Sequence, residues 1–539
     1  MKAKIKFVLP LLIIFVLALA IRLFPLAYSP YPYNIDGLGE AMLSDGIYRT
    51  GTFAVPADAG YEGSYIVQMP LMAALVAAAA SFVGTEPLTL LQPLIAVIGA
   101  ISCVVGALVV YMVTGSRRIS TMSGMFLALL GTYVFCTTSA WKETLGLTMM
   151  MIIAGLYLKR SDTRFRILLT ATLVMMVFVH HHSAILTFMI VTFAVAAEGY
   201  KAIRCRQWGL WNIVDSATVL ALWIIALSFY TAIDLPYYHF LRPDTDLYLF
   251  IAVACALALF MFVSMKGERT GSKRHYLKVL VPVVGGGLML VNYFKPIFPG
   301  IPGPEFSMMI FVLSYLMMVI PMWFGSEKAL VKGQASTPLL LATIFAPLSM
   351  ILFGFLRALD PTSFTVIYRT FDFLDLGLAV LFGAGLIVLI HKMRKWAPVV
   401  AAVFLLVLVS TTPIAFQTEG LFGVQNYTYG YEVDSYDLIH SISTTDFVDS
   451  DQRISTSIGW LYDMNCDPYL AYRIEAGSSI QSGHWLLVER SWTVDGAQEF
   501  PLKPRVIDKT DFSAFLSEQN ILIVSGPQEN QMIAAKSPY

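Results

Sequence analysis

A run of about 17 to 25 apolar residues can cross a bilayer only as a helix, because in hydrocarbon every backbone N–H and C=O must be paired within its own segment. This chain repeats such runs from residue 7 to residue 415. They fall at Phe7–Ala27, Leu90–Thr114, Ile119–Ser139, Thr144–Leu158, Ile167–Val179, Ser183–Ala197 and Leu210–Ala232. Leu247–Met265, Tyr276–Tyr293, Ser307–Phe324, Thr337–Phe355, Phe371–Ile390 and Trp396–Ala415 complete a set of thirteen. Only 13% of the residues are charged, where a soluble chain carries about 25%. The expected fold is an all-α polytopic membrane protein.

Charge fixes the expected direction of the spans. Arg117/Arg118, the Lys159–Arg166 group, Lys201/Arg204/Arg206, the Lys266–Lys278 group, Lys328/Lys332 and Lys392/Arg394/Lys395 all fall on one side of thirteen crossings. Lys2, Lys4 and Lys6 precede the first span, which is too long for a secretory signal and reads as an uncleaved anchor. The positive-inside bias then makes the N-terminus cytoplasmic and the C-terminus extracytoplasmic, in a multi-pass protein of the cell membrane. Tyr65–Val83 is apolar enough to span, but a crossing there would invert every later loop. It is read as a helix lying on, or re-entering, the outer surface.

Residues 1–415 form the membrane domain, with a first outer loop at 28–89; residues 416–539 form a small extracytoplasmic α/β or α+β domain. The body has 29 basic and 19 acidic residues, the tail 7 and 17. With a net charge of zero overall, nothing favours nucleic acid as a partner. In the tail, Arg453–Ile458, His484–Val494 and Asn520–Ser525 read as strands, and Thr510–Gln519 as a helix. Asn426-Tyr427-Thr428 is a glycosylation sequon on the side where it could be modified. The five cysteines show neither CxxC spacing nor a disulfide framework.

Polar residues collect at the outer mouth. Asp36 and Glu40, in Tyr31-Pro-Tyr-Asn-Ile-Asp-Gly-Leu-Gly-Glu40, share one face if the chain turns helical there, although a helix cap and a solvated residue would look the same. Lys142 and Glu143 interrupt a nearly uncharged stretch at a tight outer turn, where ionisable groups at membrane depth point to function. His180, His181 and His182 occupy the next outer turn; three consecutive histidines cannot all face one metal from a helix, so contact with an anion is the better reading. Arg357 and Arg369 can each grip a phosphate by two parallel hydrogen bonds, pair with a nearby aspartate, or snorkel to lipid headgroups. No Walker loop, GxGxxG, HExxH or GxSxG motif occurs, so ATP-driven transport and standard hydrolase chemistry lack support.

The order of these parts resembles the GT-C superfamily of membrane glycosyltransferases: an acid just after span one, a surface helix with Gln68-Met-Pro-Leu71, a charged turn at Lys142-Glu143, and an external tail domain. Protein mannosyltransferases and aminoarabinose transferases belong to it, as do oligosaccharyltransferases. The resemblance implies a polyprenyl-phosphate-linked sugar donor, a glycan, lipid or protein acceptor, and Asp36 as general base with Glu40 the alternate. The lipid phosphate would be bound among Lys142, Glu143, His180, His181, Arg357 and Arg369. Oligosaccharyltransferases carry acidic metal ligands in the second loop and a WWDYG-type tail motif. Lys142-Glu143 and Gly459-Trp-Leu-Tyr-Asp463 depart from both, which favours transfer of a single sugar, with inversion, over en bloc transfer. No cofactor is required by the residues, and a divalent metal stays open. A transporter or flippase for a lipid-linked or anionic solute is the competing class, yet it would place charge at the centres of spans.

Overall fold

The computed structural model describes residues 2–53, 67–233, 235, 243–266, 286–288, 290–300, 309–329, 337–417, 425–443, 447–478, 480, 483–499, 502–527 and 531–537. Its helices follow the apolar runs closely: α1 (Lys2–Arg22), α2 (Asp36–Thr50), α3 (Leu71–Val83), α4 (Pro87–Thr114), α5 (Arg117–Leu129), α6 (Gly131–Thr138), α7 (Lys142–Lys159), α8 (Thr163–Val177), α9 (His181–Arg204) and α10 (Leu210–Ala232). They continue with α11 (Pro243–Lys266), α12 (Met309–Ala329), α13 (Thr337–Arg357), α14 (Pro361–Lys392) and α15 (Ala397–Thr411). Among the described residues seven helices are long and apolar enough to cross a membrane, or eight if the bent pair α5–α6 counts as one span. α1 and α12 are apolar over shorter stretches, Phe7–Arg22 and Phe311–Ser326, and the expected Tyr276–Tyr293 span lies mostly outside the described residues. The chain is a multi-pass membrane protein.

The Ile119–Ser139 run is broken rather than straight. α5 and α6 meet at 64°, and the backbone groups freed at the break are paired by neighbours. The Gly131 N–H donates to Thr411 Oγ1 (2.9 Å), and Thr412 Oγ1 donates to the Leu129 carbonyl (2.8 Å). A broken helix survives inside a bundle only when such partners replace the lost ladder. The break lets α6 stop at Thr138, so that the turn into α7 carries Lys142 and Glu143 inward. Tyr65–Val83 resolves, over its described part, into the thirteen-residue α3, packed against α2 and α4.

The tail folds around a second core as α16 (Gly430–Ile442), α17 (Gln452–Tyr462), α18 (Leu470–Glu475), α19 (Lys509–Ser517) and strands β1 (Phe447–Asp449), β2 (Asn465–Asp467), β3 (Trp485–Glu489), β4 (Asn520–Ser525) and β5 (Met532–Lys536). The sheet order is β2-β1-β3-β5-β4, parallel on the β1 side and antiparallel across β5. Arg453–Ile458, expected as a strand, is part of α17. Asp451 caps that helix by accepting from the Ile454 N–H (2.9 Å), and Ile454 and Ile458 at i, i+4 fill the core. β4 matches the expected strand, whereas His484–Val494 is strand only over Trp485–Glu489 before turning 3-10 helical. Asn426 of the sequon is 2% exposed and its Oδ1 accepts from Asn34 Nδ2 (2.9 Å), which leaves no room for a glycan.

Candidate active site

The site starts with a clamp on the loop before α2. The Tyr33 N–H donates to Gln92 Oε1 (2.7 Å), and Gln92 Nε2, from the fully buried middle of α4's first half, donates to the Thr138 carbonyl at the end of α6 (3.0 Å). From the other side, the Asn34 N–H donates to the Asn426 carbonyl (2.9 Å). Asn34 itself has φ 91°, a left-handed conformation that asparagine tolerates, and its Oδ1 accepts from the Asp36 N–H (3.0 Å). Membrane body and tail thus jointly fix where α2 begins.

α2 then presents its two acids differently. Asp36 is exposed, and no hydrogen bond to its carboxylate occurs among the described residues. Glu40 is 4% exposed, with Oε1 lying 3.2 Å from Lys142 Nζ, which also donates to the Met69 carbonyl (3.0 Å). Burial pushes the Glu40 carboxyl above its usual range, the Lys142 ammonium pulls it back down, and the Asp36 carboxylate adds a further push upward. A second pair lies alongside. Glu143, 1% exposed, has Oε1 3.5 Å from Arg369 Nη1 and 3.8 Å from His180 Nδ1. Arg369 lies over the Trp141 ring at 5.4 Å and its Nε donates to Tyr368 Oη (3.2 Å). Asp36 lies within electrostatic reach of Glu143 and Tyr368.

The three histidines are buried at the start of α9. His180 Nδ1 is 3.0 Å from Ser183 Oγ, His182 Nε2 is 3.3 Å from Thr370 Oγ1, and the His180 and His181 rings are 4.7 Å apart. Four segments therefore bring Asp36, Glu40, Lys142, Glu143, His180, His181 and Arg369 to one end of the bundle. Arg357 is held elsewhere, by Asp246 (2.9 Å), Asp360 (2.9 Å) and Ser363 (3.2 Å). Gln92, Trp141 and Tyr368 also belong to the site. Gln92, a lone amide in an otherwise apolar span, was the readable signal among them.

No family model and no curated protein sequence matches the chain. Among solved structures, the apo oligosaccharyltransferase of Archaeoglobus fulgidus is similar over 90% of this chain and 70% of its own, at 11% identity and a TM-score of 0.51. Its structure in complex with Zn and sulfate is similar over 90% and 68%, at 11% identity and 0.50. The chain shares its fold with that oligosaccharyltransferase. ArnT from Cupriavidus metallidurans, bound to undecaprenyl phosphate, is similar over 99% of this chain and 98% of its own at 12% identity, with a TM-score of 0.40.

Zinc in the Archaeoglobus structure raises the question of whether the buried cluster of this chain suits a metal. Among the described residues no group of three or more His, Cys, Asp or Glu side chains is placed to hold one. Glu40 and Glu143 each face a side-chain cation instead, so the donor set among the described residues does not fit a divalent ion.

Proposed function

We propose that this protein is an integral-membrane glycosyltransferase that moves a sugar from a polyprenyl-phosphate donor to an acceptor hydroxyl on the outer face of the cell membrane. The observation that carries the reading is the division of labour within the cluster: Asp36 has an exposed carboxylate with no hydrogen bond among the described residues, within electrostatic reach of Glu40 and Glu143, which hold the cations Lys142 and Arg369. A carboxylate free of partners can accept a proton, and cations beside it can hold a phosphate.

Asp36 takes the proton of the acceptor hydroxyl as the oxygen attacks the anomeric carbon. The bond from that carbon to the phosphate oxygen breaks, the sugar passes through an oxocarbenium-like state, and the lipid phosphate departs. One displacement inverts the anomeric centre. Arg369 and Lys142, with the histidine cluster, offset the charge that grows on the departing phosphate. Glu40, buried against Lys142, positions that lysine and is the poorer base.

The test is sugar transfer by Asp36→Asn. Loss of a general base costs about 10²- to 10⁴-fold in rate, and the variant should lose transfer to that extent at normal membrane abundance. Undiminished transfer removes Asp36 from the mechanism. A transporter would instead keep its charges along a pathway, and its transport, not any transfer, would respond.

A further inference from the structure

We propose that this site supplies its own fixed positive charge and works without a divalent metal ion, Lys142 and Arg369 standing where a metal would otherwise serve. The role given to the two cations rests on the anion-site reading above; the absence of metal binding does not.

The argument begins with space. A divalent ion binds a carboxylate oxygen at about 2.0–2.6 Å. Lys142 Nζ is 3.2 Å from Glu40 Oε1, so an ion on that oxygen would have to share it with a like charge. Lys142 cannot swing clear cheaply, because it is 7% exposed and anchored on the Met69 carbonyl at 3.0 Å. At Glu143 the like charge is Arg369, 3.5 Å from Oε1 and over the Trp141 ring, an ion pair that leaves both buried carboxylate oxygens without a hydrogen bond among the described residues. The imidazoles complete no replacement set: among the described residues no three His, Cys, Asp or Glu side chains are placed together to hold an ion.

Charge balance then favours the substitution. Two carboxylates around one divalent ion carry the same net charge as two carboxylates around one ammonium and one guanidinium. The pairs Glu40–Lys142 and Glu143–Arg369 therefore present an arriving phosphate with the balance a bound metal would give. They also offer directional N–H donors, and the guanidinium matches a phosphate's oxygens in pairs. Asp36 is left outside both pairs, free for proton transfer.

The experiment uses the full chain in lipid nanodiscs, with Mn²⁺ followed by electron paramagnetic resonance and farnesyl phosphate as a short-chain probe of the anion site. Wild type is expected to bind no stoichiometric Mn²⁺ and to bind farnesyl phosphate equally well with and without EDTA. Lys142→Gln, which uncovers Glu40, is expected to bind Mn²⁺ and to bind farnesyl phosphate about tenfold more weakly or worse. Stoichiometric Mn²⁺ on wild type that disappears in Glu143→Gln overturns the proposal. So does farnesyl phosphate binding that EDTA abolishes and Mn²⁺ or Zn²⁺ restores. If farnesyl phosphate fails to bind under every condition, the anion-site reading falls, and the Mn²⁺ measurement alone decides the metal question.

Discussion

At the scale of single residues, the site is a contrast between two acids four positions apart. Asp36 and Glu40 look equivalent in the sequence, and only the fold separates them, by burying Glu40 against Lys142. Removing one member of a buried ion pair strands the other, at about 3–5 kcal/mol, whereas replacing both by apolar residues of similar size is near neutral. Lys142→Met is therefore expected to lower the thermal unfolding midpoint sharply, and Lys142→Met with Glu40→Leu to restore most of it; a double variant no better than the single one would show the pair is not coupled. Charges that interrupt apolar runs were readable in this way, which is why Lys142, Glu143, His180 and Arg369 could be picked out without a structure. Arg357 followed the same pattern and was not separable from Arg369. Their difference lies in partners, Asp246 and Asp360 for one and Glu143 for the other, that are remote in the chain.

At the scale of elements, close backbone approach does what side-chain pattern cannot reveal. A Cβ on Gly385 of α14 would lie 1.5 Å from the Pro321 carbonyl oxygen of α12, so these helices cross at the distance only glycine permits. Gly385→Ala should lower stability by about 1–3 kcal/mol, seen as reduced membrane abundance and a lower unfolding midpoint. Gly46→Ala, facing open space on α2, should leave both unchanged or slightly raised. In the tail domain, α16, α17 and β3 meet at Arg453, which lies 2.8 Å from both Glu432 and Glu489. Burial pushes Glu489 up to about 8, against the pull of Arg453 and with a further push from Glu432. A raised carboxyl favours the folded state fully below its ordinary value of 4.5, and that contribution is lost as pH rises through about 8. Amide exchange in Leu486–Val488 should accelerate across that window in wild type and respond far less in Glu489→Gln. α17 itself was misread as a strand because Arg-Ile-Ser-Thr-Ser-Ile alternates; the cap from Asp451 outweighs that alternation.

At the scale of the whole molecule, periodic hydrophobicity made the membrane body legible, from α4 to the boundaries of α10, because lipid selects for apolar length irrespective of tertiary detail. What it could not give was how body and tail join. Asn426 read as a glycosylation site and is instead half of the clamp on the Asp36 loop, and a Cβ on Gly39 of α2 would lie 2.7 Å from the Trp460 ring of α17. The tail is thus part of the scaffold that places the candidate base, and Gly39→Leu is expected to impair transfer while leaving the membrane bundle intact, checked by transfer rate beside membrane abundance. The central claim, a polyprenyl-phosphate sugar transferase with Asp36 as its base, meets its most direct test in cells lacking the protein, by mass spectrometry of lipid-linked sugars and surface glycans. One polyprenyl-phosphate sugar should accumulate and one glycan should be shortened, with both defects corrected by wild type and neither by Asp36→Asn. An unchanged lipid-linked pool, or full correction by Asp36→Asn, would contradict it.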